Sequence, residues 1–170
     1  MLLDLFTKPA EIFIKEGIDA FRRSAEAKNL TLAVRDRIRR EVRLNNMLLT
    51  EVLSEVNDGW KYEEDIRVQM LCKLSTSAFD EVESGSLPLS VFFDSRLHKK
   101  TWPQWNNREK YMEYCNHLEQ LHELVERTYQ RAMVAKSFAE LGVLQGDSSY
   151  LRFLFAALEK EIRETSDHPA

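Results

Sequence analysis

Every long periodic stretch of this chain places its apolar residues three and four positions apart, the interval that returns side chains to one side of an α-helix, and none alternates as a half-buried strand would. A chain patterned this way has to bury helical stripes against one another. The expected fold is therefore all-α, an antiparallel bundle of four to five helices with one long irregular loop, in a single domain over residues 1–170. Only five glycines and four prolines interrupt the pattern, and 44% apolar against 31% charged residues lets each helix bury one face and solvate the other.

The periodicity predicts helices over 9–28, 31–57, 60–83, 107–140 and 148 to about 164. Asn29 and Thr31 are read as a break between the first two, and Asp58-Gly59 as the end of the second. Ile38, Val42, Leu49, Leu53 and Val56 line the second helix, with Asn45 close to that stripe, where a polar side chain fixes helix register through interhelical hydrogen bonds. Ile66, Met70, Leu74, Ala78 and Val82 line the third. Val68, Cys72 and Phe79, with Ser75 between them, form a second apolar side of the same helix. That side needs cover, and a two-fold homodimer through it is the expectation, against a helix covered on both sides by its own chain. The last helix is apolar nearly all round in its first half, from Tyr150 to Leu158, which predicts a sandwiched position. Residues 84–106 lose the pattern around Gly85, Pro88 and Pro103 and read as a long, mobile loop, and 166–170 as a frayed tail.

A net charge of −4 gives the whole molecule no general attraction for nucleic acid or an anionic membrane, so such binding requires a local patch. Cys72 and Cys115 lack metal-site or disulfide spacing and read as reduced packing residues. With no apolar run long enough for a membrane span, the expected location is cytoplasmic.

Four motifs bear on chemistry. Glu119-Gln-Leu-His122 has the Glu-x-x-His spacing of carboxylate-bridged metal bundles, but His98, His117 and His168 lack a Glu three residues earlier, and Glu119 is expected to face solvent. No metal and no cofactor are expected on that basis. Arg35, Arg37, Arg39, Arg40 and Arg43 cluster on the second helix, and Arg39, Arg40 and Arg43 share its solvent side, where guanidinium forks pair with phosphate unless ion-paired locally. In Arg96-Leu-His98-Lys99-Lys100-Thr-Trp102-Pro-Gln-Trp105 cations alternate with tryptophans, a composition suited to bases and phosphates or to a protein partner; the alternative tucks both rings under the bundle as a lid. The candidate binding residues are thus Lys99, Lys100, Trp102, Trp105, Arg39 and Arg43.

Arg163-Glu-Thr-Ser-Asp-His168 resembles the Arg-x4-6-His motif of HEPN-family ribonucleases, which are small helical bundles. The resemblance implies that Arg163 polarises a scissile phosphate while His168 assists proton transfer, without a metal. Beyond it the chain holds no Gly-rich phosphate loop, nucleophile elbow or metalloprotease signature, and no catalytic residue is assigned. The expected function is a non-enzymatic helical interaction and assembly module, with a protein partner or a second copy of itself. The alternative is a HEPN-like ribonuclease or nucleic-acid-associated bundle protein.

Overall fold

The computed structural model describes residue 20 and residues 23–85, 87–144 and 147–167, the last three without their side chains. Among them the fold is all-α: seven helices with one two-stranded hairpin. The expected helix over 9–28 lies largely outside the described residues. Its last residues belong instead to α1, Ala25–Val52, whose first turn is capped by Ser24 Oγ accepting the Ala27 N–H at 3.0 Å. Asn29 and Thr31 do not break this helix. Their weak helix propensity is outweighed by the stripe of Ala27, Leu30, Val34 and Ile38, all buried, which runs straight through them.

Helix α1 also stops earlier than residue 57. Asn57 and Asp58 take φ of 52° and 65°, the left-handed values that a tight hairpin turn requires and that Asn and Asp tolerate. They join β1, Glu55–Val56, to β2, Gly59–Trp60, with Glu55 opposite Trp60. Arg67 secures the hairpin by donating Nε–H to the Val52 carbonyl at 2.9 Å and stacking its guanidinium 3.8 Å from the Trp60 ring.

The expected third helix is two: α2, Glu64–Leu71, and α3, Ser77–Glu83. Two side chains one turn apart on α1 hold them apart. Asn45 exchanges hydrogen bonds with the Ser75 backbone, and Glu41 Oε2 accepts from Ser75 Oγ (2.6 Å), Ser77 Oγ (3.0 Å) and the Ala78 N–H (3.0 Å) at the start of α3. Burial opposes the Glu41 charge, but donors from Ser75, Ala78, Tyr129 and Ser77 outweigh it and hold its pKa below the ordinary value. Asn45 therefore has the interhelical role read from its position. The face expected to dimerise is absorbed internally: Val68 and Phe79 are buried on different helices, and the Phe79 ring stacks on Tyr129 at 4.6 Å. Cys72 is half-buried.

Residues 84–106 are not an open loop. Helix α4, Leu89–Phe92, and a 3-10 turn at Lys99–Thr101 punctuate them, and Leu87, Phe92, Phe93 and Trp102 enter the core. Arg35 pins this segment to α1, donating Nε–H to the Phe92 carbonyl at 2.6 Å and pairing with Asp94 at 3.5 Å. The segment in turn divides the expected fourth helix into α5, Arg108–Tyr114, and α6, Leu121–Glu140. Backbone bonds from Leu97 to Glu119, Leu121 to Ser95 and His122 to Phe93 draw residues 119–122 out of a continuous helix. Glu123 caps the restart, accepting the N–H groups of Glu119 and Gln120.

The last helix, α7, Ser148–Asp167, is sandwiched as its pattern predicts, packing most extensively on α1 and α6. Tyr150, Leu151, Phe153, Leu154, Phe155, Ala157, Leu158 and Ile162 all bury there, in one continuous cluster with the stripes of the other helices. Both cysteines are free, and Cys115 lies in the core with Sγ 3.4 Å from the Tyr150 hydroxyl. No described helix is long and apolar enough to cross a membrane.

Candidate functional site

The four candidate residues around the 3-10 turn do not form one surface. Trp102 is 0% exposed, with its edge against Phe153 and its indole N–H donating to Glu161 Oε1 at 2.6 Å. The lid reading thus describes Trp102, and this ring is not available to a partner. Lys99 is spent on structure, its Nζ donating to the carbonyls of Cys115 (2.9 Å) and Asn116 (3.0 Å) beyond the end of α5. Lys100 is exposed. Trp105 is half-buried beneath the Arg152 guanidinium, 4.7 Å from its ring, and lines a cavity of about 370 Å³ with Trp60, Tyr111 and Arg152.

The arginine cluster of α1 separates by burial. Arg35 is inward, where burial lowers its pKa against the opposing charge of Asp94. Arg37 pairs with Glu81 at 2.6 Å. Arg39, Arg40 and Arg43 remain outside, and the packing of α7 on α1 places Arg163 and Glu159 beside them. These five residues line a groove of about 510 Å³.

The charge balance in the groove is unequal. Asp36 serves both Arg39 (2.7 Å) and Arg40 (2.6 Å), and Glu159 is held by the Asn46 amide at 2.7 Å. Arg43 and Arg163 have no carboxylate within ion-pair distance among the described residues. Four guanidinium groups therefore face two carboxylates. One turn along α1, on the same side of the helix as Arg40 and Arg43, Leu44 and Met47 are 63% and 60% exposed, each four residues beyond those arginines respectively. Exposed apolar chains beside unpaired guanidinium groups form a mixed surface that can take both a carboxylate and an aliphatic side chain.

Arg39 and Arg43 were readable from one helix, since their spacing alone puts them on its outer side. Arg163 belongs in the sequence to the Arg-x4-His motif, and Glu159 to no motif. Their one sequence signal is the four-residue interval between them on the polar side of an otherwise buried helix. His168, the second residue of the HEPN-like motif, lies outside the described residues, so the geometry of that pair is not defined. Glu119 is exposed, as expected, and precedes α6 rather than sharing a helix with His122.

Among the described residues, His98, Glu161 and Glu164 bring potential ligand atoms within 4.8 Å of one another. Compared with known family models, curated proteins and solved structures, the chain matches none.

Proposed function

We propose that this protein is a non-enzymatic helical interaction module, and that its contact surface is the groove of Arg39, Arg40, Arg43 and Arg163. The partner is an acidic amphipathic protein segment, whose carboxylates meet the guanidinium forks and whose aliphatic residues cover Leu44 and Met47. The observation that carries the reading is the pairing imbalance: Arg43 and Arg163 lack carboxylate partners while apolar side chains stand exposed beside them. A nucleic acid would match the charge but leave Leu44 and Met47 uncovered, and no aromatic ring lines the groove for a base to stack on.

A HEPN-like or nucleic-acid-associated function is the second reading, favoured by one observation: Arg163 of the Arg-x4-His motif belongs to this same groove. Fluorescence anisotropy distinguishes them, using a labelled peptide of alternating Glu and Leu turns and a labelled single-stranded RNA. The module reading expects the peptide to bind, R43E/R163E to abolish binding and L44S/M47S to weaken it, with the RNA unbound and uncut. Salt-sensitive retention or cleavage of the RNA, with no peptide binding, would replace the first reading by the second.

A further inference from the structure

Among the described side chains of α7, Glu161 is a wholly buried carboxylate, at 0% side-chain exposure, and its surroundings orient it. Oε1 accepts two N–H groups, from the Trp102 indole at 2.6 Å and the His98 backbone at 2.7 Å. These fix the plane of the carboxylate and turn Oε2 toward the His98 ring. Glu164, three residues on, lies on the same side of α7. His98 Nδ1 stands 3.4 Å from Glu161 Oε2 and 3.8 Å from Glu164 Oε2.

The three ligand atoms lie within 4.8 Å of one another. A good N–H to carboxylate hydrogen bond spans about 2.7–2.9 Å. Both contacts are longer than that. Ligand atoms held about 2.0–2.2 Å from a tetrahedral ion stand roughly 3.4 Å apart, because the tetrahedron fixes the edge from the radius. We propose that His98, Glu161 and Glu164 form a binding site for a divalent first-row transition ion, zinc or manganese in chemical type.

The donor set argues for that class. One imidazole and two carboxylates suit zinc or manganese; there is no thiolate to select copper(I), and calcium prefers oxygen alone. The N–H donors on Glu161 Oε1 are the outer partners that orient a ligating carboxylate, one of them from Trp102 at the centre of the core. Two other cations of α7 lie away from the cluster: Lys160 Nζ donates to the Thr101 carbonyl at 2.8 Å, and Arg163 lines the groove. The site opens to solvent on the side of His98 and Glu164, with side chains 59% and 36% exposed, so water fills the remaining coordination positions. A bound ion would tie the segment before the 3-10 turn to α7.

The test uses the intact chain, purified from chelator and titrated with Zn²⁺ alone by calorimetry and with Co²⁺ alone by visible absorption. The expected result is one ion per chain, ligand-field bands on Co²⁺ addition, and a higher Tm with Zn²⁺. His98→Ala and Glu164→Gln alter exposed side chains and should leave the helical signal unchanged while weakening Zn²⁺ binding by more than about tenfold. Trp102→Phe, which removes one donor to Glu161, should weaken it by about tenfold. Absence of saturable binding overturns the proposal, and so does binding that persists unchanged in the His98→Ala/Glu164→Gln double variant.

Discussion

The Asn45 amide and the Ser75 backbone exchange two hydrogen bonds across the α2–α3 junction, Nδ2–H to the Ser75 carbonyl at 2.7 Å and the Ser75 N–H to Oδ1 at 2.9 Å. The side chain stands in for the helical neighbours that Ser75 gives up. Replacing Asn45 by Leu leaves both backbone groups without a partner, at about 1–3 kcal/mol each. N45L is expected to lower the unfolding free energy by about 2–4 kcal/mol in urea. A loss below about 0.5 kcal/mol would mean that the junction holds without the amide.

Acidification should act through Glu41. Its pKa is lower folded than unfolded, so its contribution is complete above the ordinary value of 4.5 and is lost as pH falls through the folded value. The stability difference between wild type and E41Q is therefore expected to be widest near neutrality and to narrow below pH 4.5. Chemical denaturation of both proteins between neutral and acid pH checks this; a difference that is constant with pH contradicts it.

Phe79 reports on whether its face is internal. Buried at 4% exposure and stacked on Tyr129, it leaves no room for a charge. F79E is expected to abolish cooperative folding, because a lone buried carboxylate costs far more than the stability of a small domain allows. A folded F79E monomer by light scattering and circular dichroism would instead restore this face as a subunit contact.

The two tryptophans of the irregular segment should respond differently to truncation. Trp102→Ala removes a fully buried ring and a donor to Glu161, and a loss of about 3–5 kcal/mol is expected. Trp105→Ala removes a half-buried ring that packs on Phe153 and lines a cavity, and should cost clearly less. Equal losses in thermal unfolding would contradict the different places assigned to them.

Charge reversal in the groove should spare the fold. Arg43 and Arg163 are exposed, and R43E/R163E is expected to shift unfolding free energy by no more than about 0.5 kcal/mol. A much larger shift would show that these arginines serve stability rather than a partner.

The helices were legible because their apolar intervals are local, and the sandwiched place of α7 followed from its all-round apolar first half. The breaks were not. Leu74, Ala78 and Val82 keep the helical interval across residues 72–76, so nothing near Ser75 announces the interruption that Asn45 and Glu41 impose from 30 or more residues away. The same holds for residues 115–120, opened by backbone pairing with 93–97. Of the arginine groove, the half on α1 could be read from spacing, whereas Arg163 joins it only through packing. His98, Glu161 and Glu164 escaped notice because a search for one Glu-x-x-His motif looks along a helix, and here the imidazole comes from a loop 63 residues earlier. Trp102 and Trp105 had the same local sequence context and both pack edge-on against Phe153; only Glu161, which accepts the Trp102 indole N–H, divides them.

The element that fills the centre of the bundle comes last in chain order among the described helices. While residues 25–140 are emerging from the ribosome, the stripes of α1 and α6 have no Phe153, Phe155 or Leu158 to close on. Their apolar faces must wait, shielded by transient contacts or by chaperones, until α7 is delivered. Folding of the bundle consequently waits on the synthesis of α7, and a chain halted before Ser148 should be recovered as an aggregation-prone, protease-sensitive species rather than as a smaller bundle.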